Sequence, residues 1–145
     1  MKRSSRFEML LKLEEAKERD EARKFAEQRR ILNERRLKLS ELEGYLGEYE
    51  GRFADLSRSG VQVAQLRASY AFIGQLSDAI SQQRQAVLEG ERCVEEYRQY
   101  WLEAKRRVDI LQMTMDRMLD EELESDRRRE QSLADEAARL KFHRS

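Results

Sequence analysis

Apolar residues recur at alternating steps of three and four over two long stretches. The first carries Leu39, Leu42, Leu46, Tyr49, Phe53 and Leu56, and the second Leu66, Ile73, Leu76, Ile80 and Val87. Between them stands Ser57-Arg58-Ser59-Gly60. A three-four rhythm is the signature of a coiled-coil seam, and a short Ser/Gly break between two such seams predicts a helical hairpin. The expected fold is all-α: two long helices in an antiparallel coiled coil with a C-terminal helical overhang. The expected organisation is a single coiled-coil domain over 1–145, with helix one at about 4–56, a bend at 57–60 and helix two at about 61–142.

Taking Leu39 as an a position gives a register for helix one. Its a sites are Leu11, Glu18, Phe25, Leu32, Leu39, Leu46 and Phe53, and its d sites are Phe7, Glu14, Glu21, Gln28, Arg35, Leu42, Tyr49 and Leu56. Either Ser4 or Ser5 can cap the helix start. Helix two places Leu66, Ile73, Ile80, Val87, Val94, Trp101, Val108 and Met115 at a, and Ser69, Leu76, Gln83, Gly90, Tyr97, Ala104, Leu111 and Met118 at d. After Met118 the register is expected to break, giving way to a displaced stripe of Leu119, Leu123, Leu133, Ala137 and Leu140.

Folding at 57–60 makes facing residue numbers total about 115, matching a with d across the pair. Leu39 then meets Leu76, Leu42 meets Ile73, Tyr49 meets Leu66, and Phe25 fills the space over Gly90. Helix one would run out of partner near Leu111, leaving about thirty residues as a lone helix, at about 1.5 Å of rise per residue.

Composition sharpens this picture. Of 145 residues, 40% are charged and 39% apolar, and proline is absent, which suits long charged helices with a narrow seam. No period-two run suggests a strand. Net charge is zero, which removes bulk attraction to nucleic acid or anionic lipid, although residues 1–40 hold a local excess of basic groups. The single cysteine, Cys93, allows no internal disulfide and points to a reducing, cytoplasmic compartment. The apolar run Met9-Leu10-Leu11 is too short for a signal peptide or a membrane span.

Catalytic chemistry finds no footing. His143 is the one histidine, third from the end, and neither a phosphate-cradling glycine loop nor a zinc spacing is present. Two rods offer no concave pocket, so no enzyme, metal or cofactor is expected.

Surface recognition has more support. The e flank is charged, with Arg36 and Glu43 on helix one and Arg84 and Glu91 on helix two. The g flank is apolar, with Leu10, Ile31 and Tyr45 on helix one and Phe72, Ala79, Ala86, Cys93 and Tyr100 on helix two. Tyr45 and Phe72 are expected at one height near the bend, on an exposed flank where aromatics make good partner contacts. Leu42 and Leu76 read equally well as seam.

Taken together, Phe7-x-x-x-Leu11, Leu42-x-x-Tyr45-x-x-x-Tyr49 and Phe72-Ile73-x-x-Leu76-x-x-x-Ile80-x-x-Gln83 resemble the flagellar type III export protein FliJ family and its injectisome counterparts, over essentially the whole chain. The resemblance implies a non-enzymatic coiled-coil stalk, similar to that of rotary ATPases, inserted in a hexameric export ATPase and promoting its ring assembly. It also implies contact with the transmembrane export gate and the escort of export chaperones, in a protein that is cytoplasmic, peripheral to the inner membrane at the flagellar base, and monomeric alone. The gate-binding cluster carries over to Leu42, Tyr45, Tyr49, Phe72, Leu76 and Ala79, while Lys38 and Gln83 depart from the family pattern. The ATPase is expected to meet Phe7, Leu10, Met115, Leu119 and Leu123. The alternatives are a structural coiled-coil scaffold, paired between chains, or a substrate-holding chaperone with no ATPase role.

Overall fold

A computed structural model describes residues 2–60 and 62–144. The chain is two long helices packed against each other, α1 over Arg3–Arg58 and α2 over Val63–Arg144. Ser57 and Arg58, expected in the bend, continue α1. Val61, expected to begin helix two, lies outside the described residues. The contacts divide into two compact units: unit 1 is Met1–Asp20 with Leu102–Ser145, and unit 2 is Glu21–Trp101.

α1 ends where its carbonyls find other partners. Ser57 Oγ donates to the Phe53 carbonyl at 2.9 Å and Ser59 Oγ to that of Leu56 at 3.1 Å. Gly60 then takes φ +73°, the left-handed conformation in which a residue without Cβ ends a helix at no steric cost. α2 restarts with the amides of Gln65 and Leu66 both donating to the Gln62 carbonyl.

In unit 2 burial follows the expected seam. Leu32, Leu76, Ile80 and Val87 are buried, and Phe25, Leu39, Leu42, Leu46, Tyr49 and Phe53 are half-buried. Partners step in opposite directions along the two segments: Phe25 stacks on Trp101, Arg36 pairs with Glu91, Glu43 with Arg84, and Tyr49 with Phe72. The segments therefore run antiparallel within this unit.

The register, however, is one heptad away from the expected one. A Cβ on Gly90 would stand 3.0 Å from Leu32 Cδ1 and 3.3 Å from Arg35 Nη1, so Gly90 receives Leu32 and Arg35, not Phe25. Phe25 instead stacks on Trp101 with ring centroids 5.8 Å apart, under the Arg29 guanidinium. The cause is the reversal itself. α1 continues to Arg58 and α2 resumes at Val63, so the turn is centred later than a bend at 57–60.

Arg35 holds a d position in this seam without being stranded there. Its Nη1 donates to the Ala86 carbonyl at 2.9 Å, and Gln83 Nε2 donates to the Arg35 carbonyl at 2.9 Å. Arg35 and Gln83 thus both pair with backbone across the interface, which removes the cost of burying them.

In unit 1 the buried positions are Ser4, Leu11 and Ala104. Ser4 does not cap α1; at 4% exposure it is a seam residue one heptad before Leu11. Its Oγ donates to Glu122 Oε2 at 2.7 Å and its amide to Glu122 Oε1 at 3.3 Å. Glu122 therefore serves a first-turn amide of α1, which has no acceptor within its own helix, and places negative charge at the helix's positive end. The register does not break after Met118 but continues one step through this polar pair, and Lys2 adds an ion pair to Asp126. α2 has partners well past Leu111, and full exposure begins at 127. Leu119, Leu123, Leu133 and Leu140 all lie exposed.

Ion pairs at three- and four-residue spacing lace both helices, among them Glu27–Arg30 and Glu89–Arg92. The hydrogen bond from each arginine holds its carboxyl below the ordinary carboxylate range. Exposed pairs at these spacings support the helix they lie on and are screened by salt.

Candidate interaction surface

The two flanks of the unit 2 seam differ in chemistry because heptad positions beside a and d fall on opposite edges of the interface. On the e flank Arg36 Nη2 reaches Glu91 at 3.3 Å and Arg84 Nη2 reaches Glu43 at 3.4 Å. This edge is occupied with charge and solvated.

The g edge is apolar and partly open. Tyr45 is 53% exposed, Phe72 42% and Tyr100 44%, with Ile31, Ala79, Ala86 and Cys93 half-buried between. Phe72 does not stand with Tyr45, as expected, but against Tyr49, with ring centroids 4.6 Å apart and planes tilted by 52°. The Arg52 guanidinium covers the Tyr49 ring at 5.3 Å. Such an aromatic contact is worth about 0.5–1.5 kcal/mol beyond its buried area, so Phe72 and Tyr49 serve the hairpin as well as the surface.

The six residues of the expected gate cluster therefore separate by depth. Leu76 is buried, Leu42, Tyr49 and Ala79 are half-buried, and Tyr45 and Phe72 face solvent. Further along the same edge, Ile31, Glu34, Arg35, Lys38, Gln83 and Ala86 line a shallow groove. Lys38 and Gln83 thus share one depression.

Sequence reading missed two aromatic features. Tyr70 is exposed at an e site beside Phe53, at 6.3 Å between ring centroids. Phe25 and Trp101 face each other only in the register set by the later turn.

In unit 1, Phe7 and Met115 are half-buried in the seam, whereas Leu10, Leu119 and Leu123 are exposed. Met9, Leu13, Ile110 and Met113 are exposed as well. Among the described residues no helix is long and apolar enough to cross a membrane.

A seam of two helices with one charged and one apolar edge defines a coiled-coil protein. A family model described as Flagellar FliJ protein matches residues 2–145. The chain belongs to the FliJ family, and with it to the non-enzymatic components of the flagellar export apparatus. The comparisons with curated proteins and with solved structures each return no match.

Proposed function

We propose that this protein is an antiparallel hairpin stalk of the flagellar export machine, in the cytoplasm at the inner face of the membrane. On this reading it binds the hexameric export ATPase, promotes assembly of its ring, links it to the export gate and escorts export chaperones. Family membership across residues 2–145 is the observation that carries it. The apolar g edge supports the gate contact, with Tyr45 as its most accessible cluster member and Leu42, Tyr49, Phe72, Leu76 and Ala79 around it. The exposed Leu10, Leu119 and Leu123, beside Phe7 and Met115, support an ATPase contact in unit 1.

Tyr45 provides the clean test because it takes part in none of the ring contacts that hold Phe25, Tyr49 and Phe53. Tyr45→Ala should leave helicity unchanged and weaken binding to the isolated cytoplasmic domain of the gate by about 2 kcal/mol, the usual loss at an aromatic hot spot. Tyr70→Ala, outside the g edge, is the control. Equal losses for the two variants, or none for Tyr45→Ala, would remove the g edge from the gate contact. Leu119→Glu with Leu123→Glu should separately reduce ATPase ring assembly and leave gate binding intact.

A further inference from the structure

Five of the six glycines lie between residues 44 and 74, at the bend end of unit 2. Gly44, Gly47, Gly51 and Gly74 are inside helices, and a Cβ on any of them would meet nothing within 4 Å. No close approach requires glycine there, so these residues only lower helix propensity. Packing is thin over the same stretch: among the described residues, none from Asn33 to Gln75 is buried. Among the described residues, cross-helix polar ties stop short of it as well. The Arg35–Ala86, Gln83–Arg35, Arg36–Glu91 and Glu43–Arg84 links all lie on the far side of Gly44 and Gly74 from the bend. Among the described residues, the ring pairs Tyr49–Phe72 and Phe53–Tyr70 are the only cross-helix ring contacts nearer the bend.

We propose that the bend end of unit 2, residues 44–60 with 62–75, opens as a local cooperative unit while residues 76–101 stay paired with α1. Among the described residues of unit 2, low propensity, absence of a buried core and absence of polar ties coincide over this stretch and nowhere else. They are the conditions under which a segment opens well below the free energy of global unfolding. Opening parts Tyr49 from Phe72 and bares the seam faces of Leu46, Phe53 and Leu66. The bend is thus a conformational device, independent of which partner the g edge recognises.

Native-state amide hydrogen exchange on the full chain tests this at low denaturant. Amides of 46–58 and 64–74 should exchange with a shallow denaturant dependence, and those of 80–94 with the steep dependence of global unfolding. Gly44→Ala, Gly47→Ala and Gly51→Ala should each slow the bend amides about fivefold, and together on the order of a hundredfold. Val87→Ala removes two buried carbons and should speed exchange at 80–94 roughly tenfold while leaving the bend amides unchanged. Ile80→Val repeats that arm with a milder loss. The proposal is overturned if the bend amides share the global denaturant slope, if they accelerate together with 80–94 in either core variant, or if the alanine substitutions leave them unaltered.

Discussion

The same substitution should have opposite effects at two glycines of unit 2, because one faces solvent and the other faces Leu32. At Gly44 a Cβ meets nothing within 4 Å, so Gly44→Ala gains helix propensity alone and should stabilise by about 1 kcal/mol. At Gly90 the same gain is opposed. The new carbon would sit 3.0 Å from Leu32 Cδ1 and 3.3 Å from Arg35 Nη1. Neither neighbour retreats freely: Leu32 is 5% exposed, and the Arg35 guanidinium is held by the Ala86 carbonyl. Overpacking costs about 1–3 kcal/mol, so Gly90→Ala should come out neutral to about 2 kcal/mol destabilising. Urea unfolding followed by circular dichroism at the helix band measures both. A double-mutant cycle then identifies the neighbour. With Leu32→Ala the side chain that blocks the new carbon is gone, and Gly90→Ala should return towards stabilising, a coupling of about 1–3 kcal/mol. With Phe25→Ala there should be no coupling, since that ring lies on Trp101. Coupling to Phe25 and not to Leu32 would show that the helices pair one heptad away, and would refute the register described above.

Other consequences are simpler. Glu122→Ala leaves the buried Ser4 hydroxyl and a first-turn amide of α1 without their acceptor, and should cost about 1–3 kcal/mol of stability with early loss of protection in residues 4–8. Arg84→Glu sets two carboxylates together at Glu43 and should destabilise by about 0.5–1 kcal/mol, whereas Arg84→Glu with Glu43→Arg should recover that loss in low salt. Phe25→Ala removes a half-buried ring together with its stack and its guanidinium cover, and should lower stability by about 2–4 kcal/mol, with the emission of the only tryptophan, Trp101, shifted to the red as its ring meets solvent.

The heptad assignment was legible in the sequence because burial in a two-helix seam depends only on the a/d spacing. The half-buried and buried residues of α1, from Ser4 to Leu56, fall on that spacing almost throughout. Pairing was not legible from the same pattern, since sliding one helix by seven residues leaves every a site facing a d site. The turn's position could have decided it, but Ser57 and Arg58 read as breakers and are in fact helical, their serine bonding back to the Phe53 carbonyl. The apolar g edge was visible as well. Its internal contact between Phe72 and Tyr49 was not, because that contact depends on the register. The seam was expected to end after Met118 for a related reason, since the next a site is Glu122. A carboxylate at an a site reads as a break unless the serine and the free amide it faces are known.

What selects one register among those the seam allows must therefore lie outside the leucines. Sliding α2 by a heptad in one direction would place Arg84 opposite Arg36. Sliding it the other way would place Glu91 opposite Glu43. Each slip replaces attraction by repulsion on the e flank, although exposed pairs contribute only about 0.2–1 kcal/mol apiece. The seam adds a steeper term. Only in the observed register does Gly90 lie where Leu32 and Arg35 need room, and only there do Phe25 and Trp101 stack at 5.8 Å. A misplaced Leu32 would have to pack against a Cβ-bearing residue, at the overpacking cost of about 1–3 kcal/mol, and the ring pair would be lost with it. Charge order and one missing Cβ together separate the registers by several kcal/mol. That is why Gly90 belongs to the seam's specificity, while Gly44, Gly47 and Gly51, with no neighbour to accommodate, act through helix propensity alone.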